Sequence, residues 1–150
     1  MIYFVDEDYR KLRSLSSELT FNGYQTEIIR DADTAYSQLC NVADNEVDLV
    51  IIDVMLAVKS NGSSRYSREQ TEEYHKTGIC LLEDLVLTNP SVFPRKAIFL
   101  SHASSAELVA EIKAAESKYG VKYLRKADYD TAYHFGLEVV EIIGEIRRNL

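Results

Sequence analysis

The stretch LVIIDVMLAV, residues 49–58, sets one carboxylate, Asp53, inside an otherwise apolar run. Four aliphatic residues precede it without alternation, the pattern of a strand covered on both faces of a parallel sheet. A charge at the end of such a strand is costly unless it is paired or bound to a metal. Asp53 is therefore either incidental or the centre of the chemistry, and the strands around it decide which.

Working outward, MIYFV at the N-terminus reads as a short buried strand. The next segment has Leu12, Leu15 and Leu19 at helical spacing, with Asn22-Gly23 as its stop. YQTEII is a second strand, and DADTAYSQLCNVA a helix capped by Asp31 or Asp33. After the Asp53 strand, GICLLEDLVLTN is a helix ended by Pro90, and KAIFLS is a fourth strand. SSAELVAEIKAAESKYG puts Leu108, Ile112, Ala115 and Tyr119 on one helical face, capped by Ser104 or Ser105 and ended by Gly120. VKYL is a fifth strand. The last helix carries Phe135, Val139, Ile142, Ile143 and Ile146 on one stripe. Five strands alternating with five helices predict an α/β, doubly wound parallel sheet with helices on both faces.

The chain has 150 residues, of which 46% are apolar and 27% charged, values that predict one globular domain over residues 1–150. Its net charge of −7 argues against broad electrostatic binding of nucleic acid. Cys40 and Cys80 lack metal-type spacing and suit a reducing, cytoplasmic setting. No signal-peptide pattern opens the sequence, and no apolar run is long enough for a membrane span. One segment breaks the alternation. Residues 59–77, KSNGSSRYSREQTEEYHKT, form a polar insertion without an aliphatic side chain. Its composition predicts a solvent-exposed excursion near the mouth of a site, with one short helix around residues 68–75.

In a doubly wound sheet, ligands sit beyond the carboxyl ends of the strands. There the first strand ends at Asp6, Glu7 and Asp8, the third at Asp53 and the fourth at Ser101, while the fifth runs into Lys126. Carboxylates from two strands suit a hard divalent cation such as Mg²⁺. A hydroxyl and an ammonium beside them suit a phosphoryl group. Taken singly, each residue has an ordinary reading: Lys126 a solvated lysine, Ser101 a turn residue, Asp8 a helix cap. The ordered set carries the weight.

IYFVDED, LVIIDVML, AIFLS and YLRKAD, in that order, resemble the receiver domain of bacterial two-component response regulators. The resemblance spans nearly the whole chain and implies a flavodoxin-like strand order, 2-1-3-4-5. It implies that Asp53 accepts a phosphoryl group from a histidine kinase or phosphotransfer protein. Asp6, Glu7, Asp53 and the backbone carbonyl of Met55 would hold Mg²⁺, with Glu7-Asp8 as the other register for the acid pair. Ser101 would bind phosphoryl oxygens, Lys126 would pair with Asp53 and then with the phosphate, and Tyr123 would be the switch aromatic. Output would pass to a downstream protein or to a second copy through the face of the fourth helix, fifth strand and fifth helix.

Four positions depart from that family's pattern. The helix-opening glycine, Gly78, comes 25 residues after Asp53. Ala57 stands at the usual loop proline. His102 replaces a small residue after Ser101 and is expected to narrow the way to Asp53. Ala127 follows the lysine in place of proline, so the Lys126–Ala127 bond is expected to be trans. These departures favour an alternative, a pseudo-receiver that binds proteins with little or no phosphorylation. Two other enzyme or carrier classes fit poorly. Met55 stands where a haloacid-type phosphatase needs a second Asp, and the acidic first loop is wrong for a flavodoxin's phosphate cradle.

Overall fold

Strand β3 (Leu49–Ile52) is buried at all four positions, and its side chains divide by parity. Val50 and Ile52 enter one apolar cluster, Leu49 and Ile51 the other. An unbroken aliphatic run is therefore what a strand between two helical layers requires. The computed structural model describes residues 1–58, 64–72, 74–102, 105–129 and 131–149.

Around β3 lie β1 (Ile2–Val5), β2 (Thr26–Ile29), β4 (Ala97–Ser101) and β5 (Lys122–Arg125), all parallel, in the order β2-β1-β3-β4-β5. Helices α1 (Tyr9–Phe21) and α5 (Ala132–Arg148) cover one face. Their Leu12, Leu19, Phe135, Val139, Ile142 and Ile143 pack on Ile2, Phe4 and Leu49. Helices α2 (Ala32–Leu39), α3 (Thr77–Thr88) and α4 (Ala106–Tyr119) cover the other. The expected strand order and helix faces are observed.

The helix ends follow local chemistry. Asp31 caps α2, its side chain accepting from Thr34 N at 2.7 Å. Ser105 caps α4 through Leu108 N, and Gly120 ends it at φ +69°. Ser104, the other candidate cap, lies outside the described residues. Asp8 occupies the α1 N-cap position, but its side chain caps no backbone N–H there.

The insertion is where expectation and structure part. Residues 59–63 and 73 lie outside the described residues; most of 64–72 and 74–77 are exposed, as expected, but three side chains are not. Tyr66 is 1% exposed and joins the cluster under α2 and α3, and Thr71 and Thr77 are fully buried. An aromatic body buried to that degree is worth roughly 1.5–3 kcal/mol, enough to dock an otherwise polar segment. Where a helix is expected around residues 68–75, the described residues 68–72 and 74–75 form turns: Glu72 and Tyr74 have φ of +51° and +66°, which no helix tolerates.

Candidate functional site

The sheet register brings the strand-end acids together. Val5 pairs with Ile52, so the next residues, Asp6 and Asp53, leave adjacent strands at the same level. Backbone bonds hold both: Asp6 N donates to Ile29 O at 2.9 Å, and Asp53 N to Val5 O at 2.9 Å. Asp6 is 3% exposed. Lys126, at the end of β5, reaches across and donates to Asp6 Oδ2 at 2.7 Å and Asp53 Oδ2 at 3.5 Å. Asp6 Oδ1 also accepts from Asp8 N at 3.0 Å, which tucks the first loop under the acid.

The charges do not balance. Burial and the neighbouring Asp6 carboxylate push Asp53 up to about 6, against the pull of Lys126 and Met55 N. Lys126 is raised: burial opposes its charge, but Asp53 and Asp6 outweigh that. Two carboxylates share one ammonium, and the pocket holds an excess negative charge.

The remaining expected site residues take distinct places. Ser101, 1% exposed, is the last residue of β4, beside Arg125 of β5. Ile52 pairs with Phe99, so Ser101 lies one step beyond the level of Asp53 on the neighbouring strand. Met55 is exposed, and its N–H donates to Asp53 Oδ1 at 3.3 Å. Glu7 is exposed and lines a cleft of about 370 Å³ with Met55, Ala57, Tyr74 and His75. Among the described residues, no three His, Cys, Asp or Glu side chains are gathered as a metal centre. Tyr123 is half-buried against the α2–α4 core, and its hydroxyl is buried without a hydrogen-bond partner among the described residues. His102 is exposed and lines, with Lys126, a cavity of about 230 Å³ between α1 and α5. Burial lowers its pKa, helped by Lys126 and Lys11. The Lys126–Ala127 bond is trans, since the single cis bond among the described residues is Phe93–Pro94.

Sequence reasoning did not give Gly78 its place. Its N–H donates to Val54 O at 2.8 Å, and an added Cβ would lie 2.1 Å from the Asp53 carbonyl oxygen. The first turn of α3 thus packs directly on the backbone of Asp53, which only a glycine permits. Twenty-five residues of sequence separate the two, and the fold removes that separation.

No family model matches the chain, and no curated protein matches its sequence. Solved structures do. A CheY-like response regulator receiver domain protein from Methanospirillum hungatei superposes with TM-score 0.66 at 21% identity, covering 99% of this chain and 97% of that one. The receiver domain of the Francisella response regulator 1452 gives 0.62 at 19%, covering 96% of each. A streptococcal redox sensor, from a family described as evolved from two-component response regulators, gives 0.66 at 18%, covering 96% of this chain and 51% of that one. With its order β2-β1-β3-β4-β5, the chain has the fold of the CheY-like response regulator receiver domains.

Proposed function

We propose that the chain is a phosphoacceptor receiver domain in two-component signalling, with Asp53 as the acceptor. The observation that carries this reading is the bridge from Lys126 to both Asp6 and Asp53 at the carboxyl end of the sheet. With its pKa near 6, Asp53 is mostly ionised at pH 7 and is a competent nucleophile. One carboxylate oxygen attacks the phosphorus of a phosphohistidine, the P–N bond breaks, and the donor imidazole leaves with that bond's electron pair. The product is an aspartyl phosphate. Lys126 then pairs with the phosphoryl oxygens, and Ser101 donates a hydrogen bond to them.

The residues present fit Mg²⁺. Asp6, Asp53 and the Met55 carbonyl offer only oxygen donors, the Asp6–Asp53 pair holds more negative charge than Lys126 offsets, and Glu7, exposed at the rim, would complete the set. A bound Mg²⁺ would supply charge neutralisation at the transferring phosphoryl group. Partners would be a histidine kinase or phosphotransfer protein and a downstream protein, in the cytoplasm. Output or dimerisation would use α4, β5 and α5, where Tyr133 and Leu137 are exposed. Tyr123, with its hydroxyl already buried, would be the switch aromatic. His102, beside Lys126, would restrict the approach of a donor.

A second reading, the pseudo-receiver, is favoured by a specific observation: Glu7 is exposed and not gathered with Asp6 and Asp53 into a three-acid centre. One experiment separates the two. Wild type and Asp53→Asn are incubated with Mg²⁺ and acetyl phosphate and read by intact mass, with a known receiver in parallel. The phosphoacceptor reading expects one phosphoryl mass on wild type and none on Asp53→Asn. No gain on wild type while the control labels makes the pseudo-receiver the better reading. Full labelling of Asp53→Asn would place the nucleophile elsewhere.

A further inference from the structure

Of the described residues before α3, Ser64 and Arg65 are tied to the α2–α3 face, and Tyr74 and His75 reach the cleft beside the acid site. Ser64 Oγ and Arg65 N donate to Asp33 on α2, at 2.9 and 2.7 Å. Arg65 Nε donates to Asp84 Oδ2 on α3 at 2.9 Å, and its guanidinium lies 3.8 Å above the Tyr36 ring. A lone surface ion pair is worth little, but here pair, ring contact and backbone bond converge on one residue.

Beyond that anchor a chain of hydrogen bonds runs toward the cleft. Thr71 Oγ1 donates to Ser67 O at 2.7 Å, Tyr74 N donates to Thr71 Oγ1 at 3.0 Å, and Thr77 Oγ1 donates to Tyr74 O at 3.2 Å. Tyr74 is held at φ +66° and Glu72 at +51°, conformations that persist only when the surroundings over-determine them. The result places Tyr74 and His75 in the wall of the cleft that also holds Glu7 and Met55.

We infer that Arg65 is a positioning residue for the acid site: by anchoring these residues it holds Tyr74 and His75 against Glu7 and Met55 and limits access to the cleft beside the phosphoacceptor. The effect on access is structural. Its consequence for phosphoryl transfer rests on the receiver reading.

The test reads both separately. Met55 is 45% exposed, and the other methionine, Met1, lies at the far end of the sheet as an internal reference. The probe is dilute hydrogen peroxide with peptide mapping of methionine sulfoxide. In Arg65→Ala and in Asp84→Asn, Met55 oxidation should rise by up to about twofold against Met1, the gain left to a side chain already 45% exposed. The double variant should match the larger single, because both cut one link. Tyr36→Leu removes the ring, keeps the salt bridge, and serves if Arg65→Ala does not fold. Unchanged Met55 oxidation in a folded variant overturns the inference, as does an additive double variant. The second arm is labelling by acetyl phosphate at saturating Mg²⁺, expected to speed up in the same variants. Faster Met55 oxidation in a protein that never labels upholds the positioning role and sinks the receiver reading. A labelled wild type whose opened variants label no faster shows that this cleft does not limit the donor, and overturns the access claim.

Discussion

Two lysines, Lys96 buried and Lys126 half-buried, stand at opposite ends of the same sheet, and their surroundings differ in kind. Lys96, just before β4, is 8% exposed and donates to the Asp44 and Val47 carbonyls, both at 2.7 Å, with the Asp44 carboxylate at 3.2 Å. Nearby, the buried Asn89 amide donates to the Leu39 and Val42 carbonyls, both at 3.0 Å. That end is a polar seam in which buried donors meet fixed carbonyls. Lys126 at the other end faces two carboxylates, one at 2.7 Å and one at 3.5 Å. Carbonyl dipoles do not titrate, and two acids sharing a cation do. The amino end is built to stay as it is, whereas the carboxyl end keeps unbalanced charge in place, as expected of a site whose partner arrives later.

The largest effect should come from the satisfied end. Lys96→Met leaves the Asp44 and Val47 carbonyls without their donor, at a cost of roughly 2–5 kcal/mol. Denaturant unfolding should show that loss unchanged between pH 5 and 8, since carbonyls do not titrate there. A loss that varied strongly with pH would break the contrast between the two ends.

Lys126→Met should cost somewhat less and depend on pH. Without the ammonium, Asp53 is raised further above its unfolded value. A raised acid favours the protonated native state, so the associated stability is present at low pH and is lost as pH rises through the folded pKa. The destabilisation should therefore be roughly 2–4 kcal/mol near pH 8 and small near pH 4. Unfolding midpoints across that range check it, and a pH-independent loss would mean Lys126 acts by packing alone.

The smallest effect is a gain. Asp53→Asn removes an acid already pushed up to about 6. Wild type loses stability as pH rises from about 4 to about 6, and the amide does not. The variant should be more stable by about 1–3 kcal/mol at pH 7.5, with the gap closing toward pH 4. If Asp53→Asn were less stable at pH 7.5, its bond to Lys126 would outweigh the burial and repulsion that define the contrast.

Much of the architecture was legible beforehand, for local reasons. The aliphatic run at residues 49–52, the heptad-like spacing of Leu12, Leu15 and Leu19, and the stops at Gly23 and Gly120 each report on their own element. The strand-end acids, Ser101 and Lys126 were readable because a parallel sheet aligns its carboxyl ends. The insertion is largely exposed, as its composition implies, but its buried anchors and its turns in place of a helix do not show in a segment's average. Its anchoring depends on single residues meeting partners elsewhere: Tyr66 in the core, Arg65 on Asp84 and Tyr36. Lys96 read as one more strand residue for the same reason, since its carbonyl partners belong to another loop.

By itself the sequence determined the alternation of strands and helices, the two apolar faces and the kinds of groups at the strand ends, because periodicity and side-chain chemistry are local properties. Only the tertiary structure decided that Lys126 bridges Asp6 and Asp53, that Gly78 closes on the Asp53 carbonyl, and that Arg65 docks on α2 and α3. Those contacts join residues between 19 and 120 positions apart. Whether they form depends on burial that no single segment can supply, and that burial sets both the charge balance at Asp53 and the width of the cleft beside it.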